Sequence, residues 1–139
     1  MLTDEQLAKM NTLHDKAIQI DPDFIDAYRA EIEMNLVHFF LVTTGNEGNA
    51  TIGKTDSLVQ RLNEIAPNDP RTVAVRAIYK YSVFKDYAGA KEMFMKYVAE
   101  NPNDAQAFYN LARCCKRLWH FDESLDSCKK AMTLDPRNC

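Results

Sequence analysis

Apolar residues in this chain recur at helical spacing. Phe108, Leu111, Ala112 and Cys115 fall at i, i+3, i+4 and i+7, which sets four side chains on one face of an α-helix. After a break at Trp119-His120-Phe121-Asp122, a second stripe runs Leu125, Cys128, Ala131, Met132. Leu58, Leu62 and Ile65 mark another helix. Ile25 to about Thr43 forms a long apolar-rich stretch that also reads as helix. Residues 4–20 form a further helix, because Thr3 and Gln6 make a capping box and Leu2 with Leu7 can act as its hydrophobic staple.

One phrase punctuates these runs: Ile20-Asp21-Pro22-Asp23, Ala66-Pro67-Asn68-Asp69, Asn101-Pro102-Asn103-Asp104 and Asp135-Pro136-Arg137-Asn138. Its prolines are separated by 45, 35 and 34 residues. Proline after an apolar-periodic run ends a helix, and the Asp or Asn that follows can cap the next. Each phrase is therefore a helix–helix turn, and the chain has an internal period.

At this spacing residues 105–138 resemble one tetratricopeptide repeat. Phe108, Leu111, Ala112, Cys115, Ser124, Cys128, Ala131 and Pro136 stand where that family places its aromatic, small and closing residues. Residues 71–104 are similar, with Ala74, Ala77 and Tyr81 in the first helix and Ala90, Phe94 and Pro102 in the second. The resemblance implies an all-α fold, an antiparallel helix-pair solenoid of about seven helices with a right-handed superhelical twist. It divides a single domain into a half repeat (1–22), an expanded repeat (23–70) with a loop at 45–53, and two regular repeats (71–104 and 105–138). No capping helix follows the last turn. The expectation is a piece of a longer protein, with homo-oligomerisation through the uncapped C-terminal helix as the competing explanation.

The same resemblance implies a protein–protein interaction module that grips a peptide or helix in a concave groove lined by the first helices of its repeats. By repeat register the partner-binding residues are Arg29, Thr72, Arg76, Tyr79, Tyr109, Asn110, Arg113 and Lys116, with Tyr79 and Tyr109 as anchors and the cations selecting carboxylates. Glu33, Arg76 and Gln106 occupy the places where one subfamily carries the Lys and Asn set that holds chaperone tails, which argues against that ligand.

Composition changes this picture little. With 46% hydrophobic and 27% charged residues the chain reads as an ordinary soluble globular protein. A net charge of −3 points to neither nucleic acid nor membrane as partner. Residues 105–139 carry six basic and four acidic side chains, so an acidic protein partner suits that end. The start is acidic and amphipathic, unlike a signal peptide, and a cytoplasmic location is expected. Cys114, Cys115, Cys128 and Cys139 lack metal-ligand spacing and read as reduced, small apolar side chains.

One motif competes with the binding reading. Gly48 to Thr55 matches G-x-x-x-x-G-K-[ST], the phosphate-cradling loop in which Lys54 and Thr55 would serve phosphate and Mg²⁺, and Val37–Val42 resembles a preceding strand. No second buried strand and no metal-binding Asp accompany it. The expectation is therefore a glycine-rich inter-helix loop in a non-enzymatic protein without cofactor, with nucleotide binding as the remote alternative.

Overall fold

A computed structural model describes the backbone of residues 3–41 and 46–137, with side chains at 3, 5–39 and 51–137. Seven helices make up this part of the chain, and no strand occurs among the described residues: α1 (Asp4–Ile20), α2 (Ile25–Leu41), α3 (Asn46–Ile65), α4 (Pro70–Ser82), α5 (Tyr87–Glu100), α6 (Ala105–Arg117) and α7 (Phe121–Leu134). The expected all-α helix-pair architecture is what forms.

The turns work as the proline phrase predicts. At the first phrase the Asp21 amide donates to Ala17 O at 2.9 Å, and at the third the Asn101 amide donates to Tyr97 O at 2.8 Å, each closing its helix. Asp104 then caps α6, its Oδ1 accepting from the Ala107 amide at 3.0 Å while Oδ2 accepts from the Tyr97 hydroxyl at 2.8 Å. Pro70 opens α4, where a missing N–H costs nothing. The Thr3–Gln6 capping box is present in both directions, at 2.9 and 3.2 Å. Leu2, the expected staple partner, lies outside the described residues.

The chain divides into two compact units, Met1–Val75 and Arg76–Cys139. In the first, α2 packs against α1 and α3, burying Tyr28, Ile32, Leu36 and Leu62. This core is partly polar. Glu31 is fully buried, and its Oε1 meets Lys54 Nζ at 2.6 Å, with Asp15 Oδ2 on the same ammonium at 3.5 Å. Asn11 Nδ2 donates to Asn35 Oδ1 at 3.2 Å, and His14 Nδ1, Glu31 Oε2 and Asn35 Nδ2 are buried without a hydrogen-bond partner among the described residues. Burial pushes the Glu31 carboxyl above its ordinary range, and Lys54 pulls it only part of the way back.

Here the expected loop at 45–53 requires correction. Gly45 lies outside the described residues, but 46–53 are the opening turns of α3. Lys54 is held by Glu31 and Asp15, and buried Thr55 donates to Thr51 O at 2.7 Å. A Cβ at Gly53 would meet nothing within 4 Å, so this glycine serves no tight approach. Val37 to Leu41 are the end of α2, not a strand. A phosphate cradle needs backbone amides splayed around an anion, whereas helical amides from the second turn onward are spent on carbonyls. The Gly48–Thr55 match is therefore accidental as a phosphate loop, and nucleotide binding there is not supported.

In the second unit, α6 packs against both α5 and α7. Ala90, Phe94, Ala107, Ala112 and Ala131 line the core, and Cys114 and Cys115 fill it as apolar side chains. Burial pushes the Cys114 thiol up to about 12, far from the thiolate a reactive cysteine needs.

Glu31 and Lys54 generate a stability prediction. Lys54→Met leaves a buried carboxylate unpaired and should cost about 2–3 kcal/mol at pH 7 in urea unfolding. That is below the usual figure for a broken buried pair, because Lys54 is half-exposed. Adding Glu31→Leu should recover most of the loss. With its folded pKa raised, Glu31 favours the fold below its ordinary value of 4.5, and that contribution is lost as pH rises through the folded pKa. Glu31→Gln should accordingly lack the decline in stability above pH 4.5 expected of the native chain. Equal pH slopes in the two proteins would contradict this.

Candidate functional site

On α6, the spacing of Tyr109, Arg113, Lys116 and Arg117 places them on the face away from the buried Phe108, Leu111 and Cys115. These four, with Tyr81 from α4 and Trp119 and Phe121 from the α6–α7 turn, line a cleft of about 530 Å³ within the second unit.

Tyr81 organises the cleft. It is buried, and its ring meets that of Tyr87 at 5.0 Å between centroids. The Arg113 guanidinium lies 4.8 Å from the centroid of the Tyr81 ring, and Arg117 Nε donates to the Tyr81 hydroxyl at 3.2 Å. Arg117 also stands 5.8 Å from the Tyr87 ring. Aromatic faces thus hold both guanidiniums by cation–π attraction and a hydrogen bond, leaving donors on their edges to face the cleft. Among the described residues, no carboxylate lies within 4.0 Å of Arg113, Lys116 or Arg117. Lys116 and Arg117 gain from the α6 C-terminal dipole, which explains their stability there without any ligand.

The rim is set by an unusual backbone. Trp119 has φ 63°, the left-handed region that glycine normally fills. The turn is tied by the Trp119 amide to Lys116 O at 3.2 Å and the His120 amide to Cys115 O at 2.9 Å, the reverse pattern that closes a helix with a left-handed residue. Lys85, 34 residues earlier, has φ 56° in the equivalent turn. A Trp in this position costs backbone energy and projects its indole outward, 80% exposed, with its ring edge-on to Phe121 at 5.7 Å.

The expected partner-binding residues divide. Tyr109, Arg113 and Lys116 come together in the cleft. Asn110 is buried, its Oδ1 accepting from Gln106 at 3.4 Å, and it lies beneath Arg113 beside Ile78 and Phe94. Tyr79 is buried with its ring against Phe84 at 5.5 Å, so it packs the interior and offers no exposed anchor. Arg76 is partly exposed, with Nε buried. Thr72 is buried, and Arg29 is ion-paired to Glu33 at 3.0 Å; both belong to the first unit. Register placed Tyr79 and Thr72 on the groove face, but both side chains are buried. Trp119 and Phe121 were legible only as a break between two stripes. The signal that marks them is the chain's single tryptophan standing where a glycine is expected.

No group of three or more His, Cys, Asp or Glu among the described residues could hold a metal ion. None of the described helices is long and apolar enough to cross a membrane. Residues 105–138 match the model of the tetratricopeptide repeat family. Comparison with curated proteins gave no match.

If Trp119 is kept for its exposed ring at a cost to the turn, Trp119→Gly should leave stability unchanged or raise it by up to about 1 kcal/mol. Thermal or urea unfolding checks this, and a loss above that size would show the indole to be a packing element.

Proposed function

We propose that this chain, which carries a tetratricopeptide repeat and so belongs among protein–protein interaction modules, holds an acidic segment of another protein in the cleft beside α6. The observation that carries the reading is the set of three cations beside an exposed indole, with no described carboxylate within 4.0 Å of them. Elsewhere the described carboxylates and cations commonly pair, as in Lys91 with Glu123 at 2.7 Å and Arg71 with Asp26 at 3.0 Å. A guanidinium fixed by aromatic stacking gives up little entropy when a carboxylate arrives, and its fork suits two-point contact. Trp119, Phe121 and Tyr109 supply apolar area for a neighbouring side chain, the combination that recognition hot spots favour. Binding buries and orients a partner.

Selection from a displayed random-peptide library tests this directly. The enriched peptides should be rich in Asp and Glu around an aromatic or large aliphatic residue. Their affinity for Arg113→Glu or Trp119→Ala should fall about tenfold or more. Enriched peptides without acidic bias, or binding that both variants retain, would overturn the assignment.

A further inference from the structure

The outer side of α7 is apolar and left open by the described residues. Phe121, Leu125 and Met132 are 56%, 55% and 52% exposed, and half-buried Cys128 completes a stripe spaced four, three and four residues apart. α7 packs on α6 through a different side: Ser124 Oγ donates to Ala112 O at 2.9 Å, and Ser127 and Ala131 are buried. One period earlier the counterpart of Cys128 on α5, Phe94, is 1% exposed, and α5 is packed by the helix that follows it. The stripe on α7 is therefore the kind of surface that a helix covers elsewhere in this unit.

The charges beside the stripe indicate what covers it. Asp122 and Asp126 lie along its outer flank in the first half of α7, and Lys129 lies on the same flank in the second half. All three are exposed, and none forms an ion pair with another described residue. Lys130, by contrast, is committed to the Phe108 ring at 5.4 Å. We infer that α7 pairs with α7 of a second copy of this chain, antiparallel about a two-fold axis. Spacing of four and three is the seam of antiparallel helix pairs, and it sets Phe121 against Met132 and Leu125 against Cys128. The same register brings Lys129 of the second copy level with a point midway between Asp122 and Asp126, and symmetry makes the contact twice. A parallel pairing would instead lay this charged flank against the opposite one, where Ser124, Ser127 and Ala131 already pack, and would leave the three charges unpaired. A surface complementary to itself in both shape and charge is what an isologous interface requires. Phe121 also lines the cleft, but Leu125, Cys128 and Met132 lie outside it, and the pairing rests on the stripe and its flanking charges alone.

Sedimentation equilibrium of the full chain over a wide concentration range tests it. The expected result is a reversible monomer–dimer equilibrium that Leu125→Asp/Met132→Asp abolishes, with circular dichroism showing the variant folded, since both side chains are exposed. Lys129→Glu should weaken the dimer about tenfold, by replacing attraction with repulsion at two contacts. The triple variant Asp122→Lys/Asp126→Lys/Lys129→Glu should restore it. In a Cys139→Ser background, a short bismaleimide should link two chains through Cys128. A monomer at every concentration would overturn the proposal and leave the stripe to a different occupant. So would a dimer that survives the double Asp variant, or one indifferent to the charge of residue 129.

Discussion

The second unit depends on how closely α6 and α7 approach. Ser124 reaches the Ala112 carbonyl at 2.9 Å, and Ala112 and Ala131 are buried to the last few per cent. Larger side chains there would push the helices apart and forfeit the dispersion contacts of Phe108 and Leu111 around them. Close approach fixes a three-residue turn, and that turn forces Trp119 into the left-handed region with its ring in solvent. The cleft follows: Arg113, Lys116 and Arg117 line it together with the Trp119–Phe121 pair. Packing by small residues thus determines where a partner can be held. Ala90, 34 residues before Ser124 and fully buried, shows the same requirement at α5.

The first unit is organised on other terms. Its interior holds a carboxylate, an ammonium at the edge and several amides, and α3 contributes the ammonium from within the residues that imitate a phosphate loop. Such a network adds less stability than an apolar core of equal volume, but it penalises any arrangement of α1, α2 and α3 that leaves Glu31 without Lys54. Lys54 and Thr55 are therefore accounted for by packing, with no ligand needed to explain them.

Much of this was legible from the residues. Three proline phrases marked turns between helices and a fourth the end of α7, and the Phe108 and Leu125 stripes located α6 and α7, because helix periodicity and proline chemistry are local. Asp104 and Thr3 as caps were legible for the same reason. The extent of α3 was not: Gly48, Asn49 and Gly53 are poor helix formers, and tertiary support overrode a weak local preference. The cleft was half legible. Tyr109, Arg113 and Lys116 follow from register, whereas the role of Tyr81 depends on rings and guanidiniums meeting across α4, α5 and α6, which spacing does not encode. The exposure of Trp119 depends on one dihedral angle.

Trp119 is the chain's sole tryptophan and stands at the rim of the cleft, so its fluorescence reports on the site without labels. Titration with a library-selected acidic peptide, read by emission shift and by iodide quenching, tests the central claim most directly. The account predicts a blue shift and loss of quenching that saturate with binding, weaken as salt rises, and disappear in Arg113→Glu. A peptide that binds the chain while the indole stays as exposed and as quenchable as before would contradict it.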